Sequence, residues 1–174
     1  MRKTPAAHAA VRLRGVSNDE VTLGMPVPLD SDGFLRRECP TCEREFKWLP
    51  GSTEDPGAGK PSDGGHFCLY CGIQAPDGSW FTKAQVELAQ NMVATEVVEP
   101  LLKDFVRETN SISRCSGGMI EMSAHYDPPD KMDPLTEADD MQRVDFECHP
   151  SVLIKVLDEW DRSVYCLICG EAAS

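Results

Sequence analysis

The chain has 174 residues, of which 41% are hydrophobic and 7% aromatic, and a formal net charge of −12. Residues 115–174 carry 13 acidic and 4 basic side chains, whereas residues 1–50 carry 7 acidic and 8 basic ones. Because phosphate backbones repel acidic surfaces, this distribution excludes general nucleic-acid binding for the C-terminal part and leaves it open for the N-terminal part. No apolar run is long enough for a secretory signal or a membrane helix, so we expect a cytoplasmic protein with no membrane partner.

The N-terminal residues 1–32 are predicted to form an extended leader, because Pro26 and Pro28 disfavour a helix. Residues 33–81 hold the first group of cysteines and are predicted to form a small β unit. Within them, the Gly-, Pro- and Ser-rich stretch from Pro50 to Gly65 predicts a loop.

Residues 82–114 are predicted to be a helical connector, with helix over residues 82–109. Thr82 and Gln85 match a capping box, in which the hydroxyl accepts a backbone hydrogen bond and the amide side chain reaches back. Apolar residues then recur every three or four positions and predict one face packed in the core: Val86, Ala89, Val93, Val97, Leu101 and Phe105. Pro100 lies in this run and is expected to kink or split the helix.

Residues 115–174 are predicted to form a second small β unit of short strands and turns. The strand candidates are residues 119–126, 143–146, 151–160 and 163–166. The acidic stretch from Asp127 to Asp140 between the first two candidates is expected to be a loop.

Eight cysteines in a reducing compartment indicate metal binding rather than disulfides. Six of them form three Cys-x-x-Cys pairs: Cys39 and Cys42, Cys68 and Cys71, and Cys166 and Cys169. A tight turn brings both sulfurs of such a pair within reach of one ion. Gly72 and Gly170 follow two of the pairs, where glycine allows the positive φ that such a turn often needs.

The first two pairs supply a complete set of four thiolates, and their spacing predicts one tetrahedral Zn²⁺ site. Free core cysteines and a thioredoxin-like redox pair are the alternatives, but Pro40 and the loop after Lys47 disfavour a redox pair, which normally opens a helix. Iron is the alternative metal, and the glutamate at position 43 disfavours it because iron-binding knuckles usually have glycine there.

A degenerate repeat of the first set predicts a second Zn²⁺ site. The segment around Cys39 aligns with that around Cys148, with Ser151 in place of the second cysteine, so the repeat keeps three cysteines: Cys148, Cys166 and Cys169. A structural zinc site needs four ligands. We favour His149 as the fourth, with Cys115 and His125 as alternatives, and a metal-free cluster of buried thiols also stays open.

These pairs and their trailing glycines resemble zinc-ribbon, rubredoxin-like knuckle proteins, in which each Cys-x-x-Cys turn is a knuckle. The resemblance covers residues 33–81 well and residues 143–170 in part. Together with the predicted helix, it implies an α+β fold in which two small antiparallel zinc-ribbon-like β units are joined by a long, Pro-kinked helix. Because such ribbons serve many functions, the resemblance indicates metal and fold rather than activity.

No acid–base pair or activated nucleophile is evident in the sequence, so we expect a non-enzymatic protein. The leading hypothesis is a zinc-binding structural or interaction protein that binds a protein partner through its ribbon and helix surfaces. The alternative is nucleic-acid binding by the first unit, where basic residues lie beside aromatic ones: Arg36, Arg37, Arg44 and Lys47. The partner's identity and the oligomeric state stay open.

Overall fold

The computed structural model of the protein describes residues 8–13, 23–51, 64–115 and 122–172. Within these ranges the strands are β1 (His8–Leu13), β2 (Leu23–Pro28), β3 (Leu35–Glu38), β4 (Glu45–Trp48), β5 (His66–Phe67), β6 (Gln74–Ala75), β7 (Met141–Val144) and β8 (Ile154–Leu157). Between β6 and β7 lie a 3₁₀ turn (Asp77–Ser79), α1 (Lys83–Val93), a π-helical stretch (Ala94–Val98) and α2 (Glu99–Cys115). This combination of a long helix with antiparallel sheets confirms the predicted α+β class.

The two predicted β units share one antiparallel sheet of order β3-β4-β8-β7. Each unit contributes a hairpin, and the hairpins join where Lys47 of β4 pairs with Lys155 of β8. The sequence did not predict this pairing, because the residues of a strand do not show which other strand pairs with it. The predicted boundaries at residues 33, 82 and 115 stay a prediction, although the shared sheet joins the units directly as well as through the helix.

The two units are related by an approximate twofold repeat. The Phe67 amide donates to the Leu167 carbonyl at 2.9 Å, and the Tyr165 amide donates to the Leu69 carbonyl at 2.8 Å. Phe67 corresponds to Tyr165, and Leu69 to Leu167, in the sequence repeat. The repeat therefore holds in three dimensions, with each half bonded to the other.

Both faces of the central sheet are covered, which is why successive residues of β4 are buried. On one face, the rings of Phe46 and Trp48 lie 5.7 and 6.5 Å from that of Trp80, which is fully buried. Met25 and Val27 of β2 join this core, so the extended leader contributes to it. On the other face, Lys47 lies under the acidic segment that precedes β7.

The helix begins as predicted, with the Thr82–Gln85 capping box formed in both directions. It extends beyond residue 109 to Cys115. The helix does not split at Pro100. A π-helical stretch precedes this residue, and its wider turn relieves the clash between the proline ring and the carbonyl one turn earlier. A kink there stays a prediction. No helix within the described residues combines the length and apolar character needed to span a membrane.

The prediction that the apolar face of the helix packs in the core holds at Ala89 and is wrong for Val86, Leu101 and Phe105. Leu101 is 66% exposed, Phe105 60% and Val86 42%. α1 instead packs through Leu88 and Gln85, and the Gln85 side chain donates to the Arg36 carbonyl at 3.1 Å. Periodicity shows that one face is apolar, but it does not show what covers that face.

The strand predictions for the C-terminal part hold only in part. β7 begins two residues before its predicted range, β8 lies inside its range, and Tyr165 forms a single bridge to Ala172. Of the range 119–126, residues 119–121 lie outside the described residues and residues 122–126 form no strand. The acidic stretch is a loop as predicted. Most of the loop predicted between Pro50 and Gly65, residues 52–63, also lies outside the described residues.

Candidate metal centres

All three knuckles form the same hydrogen-bonded turn. In the first knuckle the Cys39 amide donates to the Arg44 carbonyl at 3.0 Å, and the Glu43 amide donates to the Cys39 carbonyl at 2.9 Å. The equivalent bonds run from Cys68 to Ile73 and Gly72 to Cys68, and from Cys166 to Glu171 and Gly170 to Cys166. One local geometry therefore positions three pairs of sulfurs.

The residue after the second cysteine has a positive φ in every knuckle: 55° at Glu43, 68° at Gly72 and 71° at Gly170. Glycine adopts this conformation at little cost, whereas an L-residue with a side chain pays for it. The first knuckle thus forms although it has a glutamate where the other two knuckles have a glycine.

The four-cysteine site is formed by Cys39, Cys42, Cys68 and Cys71, whose sulfurs all lie within 4.8 Å of one another. Across the two knuckles, the Cys39 and Cys71 sulfurs are 3.8 Å apart and those of Cys42 and Cys68 are 3.7 Å apart. A tetrahedron with Zn–S bonds of about 2.3 Å has sulfur–sulfur edges of about 3.8 Å, so the spacing fits one ion.

Backbone amides support the buried sulfurs of this site. The amides of Thr41 and Cys42 both donate to the Cys39 sulfur at 3.4 Å, and the Tyr70 amide donates to the Cys68 sulfur at the same distance. Burial raises the pKa of Cys39, but the Cys42 and Thr41 amides, together with hydrogen bonds from the Cys68 and Cys42 thiols, outweigh it, so the pKa lies below its ordinary value. Burial has the larger effect at Cys68 and raises its pKa. Amide donors of this kind stabilise metal-bound thiolates.

The Cys₃His site is formed by Cys148, His149, Cys166 and Cys169, whose ligand atoms also lie within 4.8 Å of one another. The sulfurs of Cys148 and Cys169 are 3.6 Å apart, and His149 Nδ1 lies 3.4 Å from the Cys166 sulfur. A zinc ion bound by thiolates and an imidazole places such atoms about 3.5 to 3.8 Å apart. This site is more exposed than the first, because Cys148 is at the surface.

Adjacent ligands in a strand would point apart, but Cys148 and His149 lie in a turn. The Val152 amide donates to the His149 carbonyl at 3.1 Å, and Pro150 lies within that turn. The structure thus brings His149 to the cysteines, although its binding of metal stays a prediction. His125 is not there: its side chain is 83% exposed and its Nε2 lies 2.8 Å from Asp127. The side chain of Cys115 lies outside the described residues.

Two thiols of the Cys₃His site, those of Cys148 and Cys166, have raised pKa values and hold their protons at neutral pH when no cation is bound. Burial, followed by the neighbouring Cys166 and Cys169 sulfurs, raises the pKa of Cys148 to about 12. Because a metal binds thiolates, loading this site displaces these protons. The two Cys/His groups together suggest zinc-ribbon-like metal sites.

The basic residues proposed for nucleic-acid contact do not form an open face. Lys47 is fully buried and makes ion pairs with Glu137 and Asp140 at 3.0 and 3.1 Å. Arg36 also pairs with both acids, and its pKa is raised because these partners outweigh burial, the largest single effect. Acidic residues of the same chain therefore neutralise these cations.

Arg37 and Arg44 are the other two basic residues proposed for nucleic-acid contact. The Arg37 guanidinium lies 4.7 Å from the centre of the Trp48 ring and 5.1 Å from that of Phe81, and burial lowers its pKa to about 10. Arg44 lies at the surface, 5.2 Å from the centre of the Trp160 ring. Of the four cations, Arg44 alone is exposed.

Two side chains that connect the strands around the sites, those of Tyr70 and Asp30, were not predicted from the sequence. The Tyr70 hydroxyl donates to the Glu45 carbonyl at 2.7 Å and accepts from the Leu157 amide at 3.1 Å, so the second knuckle is bonded to both hairpins. Asp30 is fully buried and lies 2.9 Å from the Lys155 ammonium and 3.4 Å from that of Lys47. A lysine within each of the strands β4 and β8 is the sequence signal for the Asp30 contacts, and no such signal marks the contacts of Tyr70.

Comparison of the chain with known protein families, curated proteins and solved structures finds no match, so the two metal centres are interpreted from their own geometry.

Proposed function

We propose that this chain is a non-enzymatic zinc protein of the cytoplasm, in which two ions fasten the ribbon hairpins into one scaffold that binds a protein partner. One observation carries the metal assignment: two separate groups of four Cys or His residues each converge within 4.8 Å. In both groups four protein ligands would complete a tetrahedron and leave no open position for substrate, an arrangement that is typical of structural rather than catalytic zinc.

Zinc is favoured over iron by the ligand set of the second centre. A Cys₃His set is common in structural zinc sites, whereas rubredoxin-type iron uses four thiolates. Four thiolates also suit zinc, so one metal satisfies both centres.

The scaffold role is supported by how the centres are connected. Both belong to knuckles that are hydrogen-bonded to each other, and both hairpins belong to one sheet. The helix carries exposed apolar side chains, and these give a protein partner a surface to bind.

Nucleic-acid binding through the first unit loses its basis. Three of the four cations invoked for it, Arg36, Arg37 and Lys47, are paired with carboxylates or stacked against aromatic rings. A phosphate backbone would have to compete with those internal partners, so we do not propose this function.

The test is the metal content of the purified chain, measured by elemental analysis. We expect two zinc ions per chain, and a loss of at least one ion in both Cys68→Ser and Cys166→Ser. His149→Ala should weaken the second centre less, because water can fill one position. Cys115→Ser is the matched control and should keep both ions. A wild-type chain with no zinc, or with iron instead, would refute the assignment.

A further inference from the structure

The helix presents a continuous apolar face to solvent. Its exposed members recur every three or four residues, apart from one gap of seven, and are Val98, Leu101, Leu102, Phe105 and Ile112. Most other described residues of α2 are exposed as well. Single apolar side chains are common on surfaces, but an aligned row on one helix face marks an interaction site.

A groove lies along the preceding part of the helix, between Val86 and Val98. Its volume is about 440 Å³, and its walls include Met25 of β2, Phe81, Ala89 and Val93. Val98 belongs both to the groove and to the exposed row, so the two features are continuous. The protein thus carries protruding apolar side chains and an apolar recess on one helical segment.

These two features complement each other. With a rise of about 1.5 Å per residue, Phe105 lies roughly 20 Å along the axis from the middle of the groove. If two such helices pack antiparallel about a twofold axis, Leu101 and Phe105 of each copy lie over the groove of the other. A twofold contact of this kind uses the same patch on both copies and closes on itself, so both apolar features are buried at once.

The charge on the helix also favours packing against a second copy of the chain. Residues 83–115 carry 4 basic and 5 acidic side chains, a balance of −1, within a chain whose balance is −12. An acidic or basic partner would gain little along this segment, whereas two copies can approach there without strong repulsion. Charges elsewhere on the two copies are screened beyond about 8 Å at physiological salt.

We propose that a second copy of this chain covers this face, with the α2 side chains of each protomer seated in the α1 groove of the other. The inference rests on the partner-binding part of the proposed function and names that partner. It does not depend on the identity of the metal.

The first test is the mass in solution of the intact, zinc-loaded chain, measured by analytical ultracentrifugation from roughly 1 to 100 µM. We expect twice the 19.2 kDa of one chain. Phe105→Glu should weaken association roughly 100-fold or more, because it places a charge in the apolar contact. Ile73→Glu is the matched control, since Ile73 is 47% exposed on the second knuckle, and it should remain dimeric.

A mixing experiment tests the pairing itself. Val93→Lys changes the groove, and it should be monomeric when alone, as Phe105→Glu is. In an equimolar mixture one contact joins Glu at 105 to Lys at 93, and the other keeps the native pair, so the heterodimer should form. A mixture that stays monomeric overturns the reciprocal packing.

Zinc analysis of the same samples separates this inference from the proposed function. A wild-type monomer that holds two ions overturns the second-copy assignment alone and leaves the face to a different protein. A dimer without metal upholds the second-copy assignment and removes the metal function.

Discussion

Glu43 stands where the other two knuckles have glycine, and it adopts the same left-handed backbone conformation. That conformation costs a non-glycine residue about 1 to 2 kcal/mol. The knuckle's two backbone hydrogen bonds hold it there, and Lys83 forms an exposed ion pair with its carboxylate at 2.7 Å. The turn is therefore imposed by its bonding pattern rather than by the residue's own preference.

Two substitutions at equivalent knuckle positions should differ sharply. Glu43→Gly should change the free energy of unfolding by less than about 1 kcal/mol, because relief of the strained φ offsets the weak ion pair and the added flexibility. Gly170→Ala should cost more than about 2 kcal/mol, since its Cβ would lie 2.7 Å from Cδ1 of the Phe67 ring at a φ of +71°. Urea denaturation of the zinc-loaded variants measures both. Equal stability of Gly170→Ala and wild type would show that the knuckles are not packed as described.

Asp30 joins the two buried lysines of the central sheet. Burial raises the pKa of its carboxyl, but hydrogen bonds from Lys155 and the Phe34 amide outweigh it, so the pKa lies below its ordinary value of 3.8. A carboxyl with a lowered folded-state pKa stabilises the fold fully above that ordinary value. The contribution is lost as the pH falls through the folded-state pKa.

Replacing Asp30 with asparagine should therefore cost about 3 kcal/mol at neutral pH, because two buried ammonium groups lose their shared carboxylate. The difference from wild type should shrink as the pH falls below 3.8. Asp32→Asn is the control: its side chain is 65% exposed, although it lies 2.6 Å from Lys155, so it should cost under about 1 kcal/mol. Denaturant unfolding across a pH series gives both values, and a pH-independent difference would contradict the linkage.

At the scale of elements, local patterns predicted more than distant contacts did. The capping box at Thr82 and the knuckle at Cys68 each depend on residues within a few positions, and the sequence predicted both. The burial of part of the helix's apolar face was mispredicted, because a row of apolar residues does not show what packs against it. Lys47 was a candidate for nucleic-acid contact because its partners, such as Glu137, are about 90 residues away in the chain and could not be recognised from the sequence.

The helix start should be fragile in a specific way. Thr82 is buried and accepts a hydrogen bond from the Gln85 amide at 3.2 Å, while the Gln85 side chain accepts from the Thr82 amide at 3.1 Å. Thr82→Ala should cost about 1 kcal/mol, and Thr82→Ser should keep most of that stability because serine is an equally good cap. Thermal melts of the two variants make the comparison. Identical melting for both would mean that the cap contributes nothing to this helix.

Over the whole molecule, hydrogen bonds connect the two candidate metal centres. The second knuckle bonds the third through Phe67 and Tyr165, and it also bonds both hairpins through the Tyr70 hydroxyl. The cysteine spacing identified candidate ligands for each centre, because ligand pairs are local. It did not reveal that the centres are connected, since that depends on hydrogen bonds between residues roughly a hundred positions apart.

Loss of one ion should therefore weaken binding of the other. Cys42→Ser and Cys169→Ser are matched changes, because each removes the second cysteine of a knuckle and both cysteines are half-buried. In each variant the zinc affinity of the untouched centre should fall about tenfold or more, a coupling of roughly 1.4 kcal/mol. Competition with a chromophoric chelator measures that affinity. Unchanged affinity at the remaining centre in both variants would show that the centres are independent.

The pairing of Lys47 with Lys155 lies where the two hairpins meet, between equivalent strands of the repeat. Asp30 lies beside both lysines at this seam. One half of the repeat supplies four cysteines, whereas the other supplies three cysteines and a histidine. The first hairpin, separated from the second, would expose the edge of β4, and two such fragments would pair through that edge.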